Sequence, residues 1–219
     1  MTIGSRIMED VFFESGNARL HGALRRAAPG APAVVILHPH PQFGGNMNNN
    51  VVLGLEQECA DAGFTTLRFN FRGTGRSTGV FDNGAGEQDD VRAAIALIAD
   101  TEPGAPVIVA GYSFGAAVGL PVASNNARVA AMAGIAPPTV MADFSFLADC
   151  EKPLLVIAGD SDSFCEHARL AMLLTRENHR FRLLQGVDHF YIGEELRAGR
   201  IVCDFIRDAV VENSGCGGS

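Results

Sequence analysis

Apolar residues in this chain gather in short unbroken runs, and polar or glycine-rich stretches separate them. Residues 33–37, 65–70, 107–110, 129–133, 154–158 and 181–184 are such runs, of the kind expected of strands buried on both faces of a parallel sheet. The intervening segments predict helices over 48–62, 87–99, 113–123, 165–176 and 194–211. In the second of these, Val91, Ala94, Ile95 and Ile98 recur at helical spacing and form one apolar face. Two further runs, 11–14 and 20–26, flank Ser15-Gly16-Asn17 and predict an opening hairpin. A hairpin followed by alternating strands and helices implies an α/β fold with a doubly wound sheet. Crossovers should be right-handed, and ligands should bind at the carboxyl ends of the strands.

No repeat interrupts this alternation and no linker divides it. The expectation is a single domain over 1–212, with 213–219, rich in Gly and Ser, as a flexible tail. A length of 219 residues is enough to bury a sizeable core. The net charge of −8 argues against nucleic acid or an anionic membrane as partner, because both need a basic face. The N-terminal stretch carries Glu9 and Asp10 and no long apolar core, so it does not read as a secretory signal. Five cysteines without a C-x-x-C point to reduced thiols in a cytoplasmic protein.

The chemistry begins at Gly111-Tyr112-Ser113-Phe114-Gly115, which joins the 107–110 run to an alanine-rich helix. Strand, G-x-S-x-G and helix together make a nucleophile elbow, in which the serine hydroxyl is exposed at a sharp turn. A chain with 25 glycines can produce the pattern by chance, so a base, an acid and an oxyanion hole must be found elsewhere. His189 follows the last predicted strand and can serve as general base and then general acid. His179 precedes that strand and should lie at the wrong end of the sheet, and His167 lies among polar neighbours on a helix. For the acid, the strand at 154–158 ends in Gly159-Asp160-Ser161-Asp162, and either aspartate can hold the histidine.

The oxyanion hole requires two N–H groups. One should be that of Phe114, the residue after the nucleophile. The other should come from the loop His38-Pro39-His40-Pro41-Gln42-Phe43-Gly44-Gly45. Pro39 and Pro41 have no N–H. His40 is then the preferred donor, with Gln42 or Phe43 as alternatives. The His-x-His pair has no third ligand at matching spacing, so no metal is expected. The glycines of Asn70-Phe71-Arg72-Gly73-Thr74-Gly75-Arg76-Ser77 fit neither a dinucleotide nor a phosphate loop. They read as a structural turn near the site.

Four segments together resemble the small, capless bacterial α/β-hydrolases, which are distantly similar to dienelactone hydrolases. These are the His38–Gly45 loop, Arg68 to Ser77, the elbow, and Gly186-Val187-Asp188-His189-Phe190. The resemblance covers nearly the whole chain. It implies an α/β-hydrolase fold, with an eight-stranded, mostly parallel sheet, helices on both faces, an antiparallel second strand and no cap domain. It also implies a triad of Ser113, Asp162 and His189, the family pattern G-x-x-D pointing to Asp162. The order serine, aspartate, histidine is the one found in α/β-hydrolases. Dienelactone hydrolases proper use a cysteine nucleophile, where this chain has serine.

The resulting expectation is a cofactor-free serine hydrolase that cleaves small carboxylic esters through an acyl-enzyme. Its partner is a small-molecule ester or thioester. Phe43, Phe81, Phe114, Phe144, Phe146 and Phe190 are candidate walls of a shallow, open cleft. A thioesterase or perhydrolase would use the same triad, and a non-catalytic binding protein could keep the same fold.

Overall fold

The computed structural model describes residues 7–215. In chain order the elements are β1 (Met8–Ser15), β2 (Ala18–Arg25), β3 (Ala33–Leu37), α1 (Asn50–Asp61), β4 (Thr65–Phe69), α2 (Ala85–Thr101), β5 (Val107–Tyr112), α3 (Phe114–Ser124), β6 (Val129–Ile135), β7 (Leu154–Gly159), α4 (His167–Leu173), β8 (His179–Leu184) and α5 (Glu195–Gly215). One sheet holds all eight strands in the order β1-β2-β4-β3-β5-β6-β7-β8. β2 runs antiparallel to both of its neighbours, and every later pairing is parallel. This is the α/β-hydrolase fold that the strand-helix alternation and the motifs implied.

Alternation of side chains along each strand sends its apolar residues to both faces. On β3, Val35 and Leu37 join the core under α2 and α3, while Val34 and Ile36 join the core under α1 and α5. Val107 and Val109 on β5 likewise face one way, Ile108 and Ala110 the other. The continuous apolar runs in the sequence are therefore strands with a helix layer on each side.

Between β6 and β7 the chain forms a single short 3₁₀ turn, Ser145–Ala148, and no cap domain is inserted there. α4 is shorter than the 165–176 expected from sequence. Only Leu170 of this helix is buried, too little apolar face to hold further turns against their ordering cost. β8 starts at His179, whose ring lies 3.0 Å from the Cys150 carbonyl, at the amino-terminal end of the sheet. α5 continues past residue 212 as far as Gly215, and residues 216–219 of the expected tail lie outside the described residues.

The turn after β4 is fastened to α2 by a buried ion pair. The Arg72 guanidinium donates to the Asp90 carboxylate at 2.7 Å, and the Arg72 backbone N–H donates to the same group at 2.9 Å. The Asp90 side chain is fully buried. Removing one member of such a pair leaves a desolvated charge. Arg72→Met is expected to lower stability by about 3–5 kcal/mol, as measured by urea denaturation.

Candidate active site

β5 ends at Tyr112 and α3 begins at Phe114, so the chain reverses at Ser113 alone. Ser113 has φ 53° and ψ −115°, a strained conformation that side-chain-bearing residues seldom adopt. Close backbone contact enforces it. A Cβ on Gly111 would lie 2.5 Å from the Gly115 carbonyl, and one on Gly115 would lie 2.5 Å from Leu37 O on β3. Two glycines thus let α3 start directly against the ends of β3 and β5. Its first N–H groups have no partner within the helix, and that of Phe114 is among them.

The loops after β7 and β8 meet the elbow. Ser113 Oγ lies 2.9 Å from His189 Nε2, and His189 Nδ1 lies 2.8 Å from Asp162 Oδ2. Asp162 also accepts the Phe164 N–H at 2.8 Å through its other oxygen, and its side chain is fully buried. An Nδ1–H donated to this carboxylate leaves Nε2 free to accept from the serine hydroxyl. Asp160 points elsewhere. Its Oδ1 accepts the Gly186 N–H at 2.7 Å and ties the β7 loop to the β8 loop. Of the two aspartates, Asp162 meets the histidine and Asp160 ties the two loops together. Tyr112 adds a second tie, because its hydroxyl donates to the His189 carbonyl at 2.7 Å.

The loop after β3 supplies the opposite wall. Gln42 N–H donates to His40 Nδ1 at 3.2 Å, and Phe43 N–H donates to the His40 carbonyl at 3.1 Å. Both alternatives to His40 as an oxyanion donor are thus occupied, whereas the His40 N–H makes no hydrogen bond among the described residues. The His40 ring packs on Phe43, Phe114 and Phe81, with centroids 4.7, 4.7 and 5.1 Å away. Desolvation in this cluster lowers its pKa. His38 is fully buried, and burial pushes its pKa down to about 4.

These parts surround a cleft of about 960 Å³ that contains Ser113 and His189. Phe43, Phe81, Phe114 and Phe190 line it. Phe43 is 79% exposed and Phe190 57%, as expected for walls of an open site. Phe144 does not line it. It is 3% exposed and belongs to the core beside Leu147, with Phe146 stacked on it at 6.2 Å. The 3₁₀ turn carries both rings inward. Phe164 takes the place expected of Phe144. It lines the cleft with its ring 4.8 Å from that of His189, and its position two residues after Asp162 was the overlooked signal. No Asp, Glu, Lys or Arg lines the cleft among the described residues. Nor is any group of three or more His, Cys, Asp or Glu among the described residues arranged to hold a metal ion.

Residues 32–149, including the elbow, match the family described as serine aminopeptidase, S33. The chain belongs to this family of α/β serine hydrolases. The hydrolase is also 33% identical over 211 residues to an uncharacterised protein of Rickettsia prowazekii, covering 91% of this chain and 89% of the relative. Among solved structures it is similar to an α/β serine hydrolase homologue from Coxiella burnetii, with TM-score 0.81 and 30% identity, covering 90% of this chain and 96% of that one. It is similar too to a lidless α/β serine hydrolase from Xanthomonas campestris, with TM-score 0.81 and 29% identity, covering 92% and 94% of the two chains.

Two outcomes follow for the hydrolase. Tyr112→Phe removes the donor to the His189 carbonyl and should cost about 1–2 kcal/mol in urea denaturation. His38 supplies the second. Its pKa falls from 6.5 in the unfolded chain to about 4 in the fold, so the unfolded chain binds more protons between these values. The stability contributed by neutral His38 is complete above pH 6.5 and is lost as pH falls through 4, a change of about 3 kcal/mol. Denaturation at pH 7 and pH 4 should show a smaller acid loss in His38→Asn than in the wild type.

Proposed function

We propose that the hydrolase cleaves small, uncharged carboxylic esters through a covalent acyl-serine. The observation that carries this reading is the unbroken hydrogen-bonded chain from Ser113 through His189 to the buried Asp162. Ser113 Oγ attacks the ester carbonyl carbon while His189 Nε2 takes its proton. Asp162 holds the Nδ1–H and stabilises the imidazolium. The N–H groups of Phe114 and His40 receive the oxyanion. The intermediate collapses, the C–O bond to the alcohol breaks, and His189 returns its proton to the leaving oxygen. A water molecule, activated by the same imidazole, then attacks the acyl-serine and releases the acid. Every step uses only protein side chains, backbone N–H groups and water.

The lining supports an ester rather than a peptide N-terminus. An aminopeptidase must hold the α-ammonium of its substrate, and an ammonium taken out of water needs an anionic partner. The cleft offers none among the described residues. Glu87, which acts on His40 electrostatically, is already engaged by the N–H groups of Asp82 and Gly84 at 2.9 and 2.7 Å. Its open mouth and aromatic walls suit short acyl chains on small alcohols. No described helix is long and apolar enough to cross a membrane. The described cysteines, all free thiols, fit the cytoplasmic setting that belongs to this proposal.

p-Nitrophenyl acetate should be turned over and alanine p-nitroanilide should not. Ser113→Ala should abolish ester turnover with the fold intact, and Asp162→Asn should lower kcat by about 10⁴-fold. Steady-state kinetics with circular dichroism checks all three. Undiminished turnover by Ser113→Ala would sink the assignment.

A further inference from the structure

We infer that His38 is a positioning residue for the oxyanion hole, holding the Pro39–His40 peptide bond so that the His40 N–H faces the reacting carbonyl. The inference rests on the serine hydrolase reading above.

Two contacts fix the state of the His38 ring. The Phe71 backbone N–H can only donate, and it points at Nε2 from 3.1 Å. The Pro39 carbonyl can only accept, and it lies 2.6 Å from Nδ1. His38 is therefore the neutral tautomer with its proton on Nδ1. Full burial keeps it neutral, because an imidazolium there would lose its hydration and could not accept from Phe71.

The accepting carbonyl belongs to the same peptide unit as the His40 N–H. In a planar trans peptide the C=O and N–H point in opposite directions. Fixing the Pro39 oxygen on one side thereby aims the His40 N–H on the other. A donor on the carbonyl also polarises the amide and strengthens its N–H. The remaining atoms of this stretch are held as well. The His40 carbonyl accepts the N–H groups of Phe43 and Gly45 at 3.1 and 3.0 Å. A Cβ at Gly45 would lie 2.1 Å from Pro39 O, so the peptide is closely confined. The 3₁₀ turn of this loop, Pro41–Phe43, begins only after the donor peptide, and among the described residues His38 is the one side chain whose hydrogen bond holds that peptide from the core.

Two conservative variants separate this role from packing. Asparagine places its amide nitrogen near the position of Nδ1 and can still donate to Pro39. Glutamine reaches the position of Nε2 and can accept from Phe71, but leaves Pro39 unheld. Each loses one hydrogen bond, so melting temperatures should fall by similar amounts. His38→Gln should lose about 10–100-fold in kcat with little change in KM, and bind a boronic acid analogue of the tetrahedral intermediate more weakly by the same factor. His38→Asn should keep most of its kcat. Equal kcat losses in the two variants, or an unimpaired His38→Gln, would overturn the inference. Where a variant does not fold, the wild type still decides: boronic acid binding should move the His38 Nδ1–H resonance, and a resonance that stays put overturns the inference. A wild-type protein that neither hydrolyses p-nitrophenyl acetate nor takes a fluorophosphonate on Ser113 would overturn the hydrolase reading, and this inference with it.

Discussion

The site depends on how closely α3 can approach the sheet. Ser113 is the only residue between β5 and α3, so the helix must begin before the chain has moved away from the strand. A side chain at Gly111 or Gly115 would meet backbone atoms at 2.5 Å, and any separation large enough to admit it would relax the turn. The strained backbone at Ser113 is therefore a product of packing. The β5 pairing with β3 and β6 and the burial of α3 residues Ala116, Leu120 and Ala123 supply the force that maintains it. The same geometry leaves the first N–H groups of α3 unpaired beside the serine hydroxyl.

Around this fixed point the other groups arrive on loops from the carboxyl ends of β3, β7 and β8. Parallel pairing brings those ends together. β3 lies beside β5, and β7 and β8 lie on its other side beyond β6. The loops are then held by particular contacts. Asp160 joins the β7 and β8 loops through the Gly186 N–H. Tyr112, inside the elbow itself, holds the His189 carbonyl. The residue that carries Ser113 forward thus also fixes the loop that carries His189, and Ser113 and His189 are positioned by one backbone segment.

Much of this was legible in the sequence, for a reason specific to the fold. Strands buried on both faces appear as unbroken apolar runs, and residues that follow such runs must lie at the same edge of a parallel sheet. Ser113, Asp162 and His189 each follow one. Within the turns the sequence is less informative. Asp160 and Asp162 are two residues apart, and only the path of the backbone tells which carboxylate turns toward His189. The phenylalanines were ambiguous because an aromatic ring in a short irregular segment can face the core or the cleft with the same neighbours in sequence. Phe144 turns inward with the 3₁₀ turn at Ser145–Ala148, whereas Phe164 is turned outward when Asp162 takes its N–H. The early end of α4 likewise reflects a tertiary quantity, the area available for burial, that local propensity does not carry.

The two proposed oxyanion donors are built by different physics. The Phe114 N–H is directed by a helix start, which secondary structure alone can fix. The His40 N–H lies in a loop bounded by two prolines that remove competing donors without setting its direction. Direction must come from tertiary contacts, and they converge on the turn after β4. Phe71 presents its N–H to His38 and its ring to Phe114 at 5.8 Å. Asn70 Oδ1 accepts the Met47 N–H at 2.9 Å, beyond the far end of the loop. Arg72 anchors the turn to Asp90 on α2. The glycine-rich segment 70–77, which fits no phosphate loop, acts here as a structural turn. It ties the loop, through His38, to the sheet and to α2, so the Arg72–Asp90 pair supports the loop although neither side chain contacts Ser113.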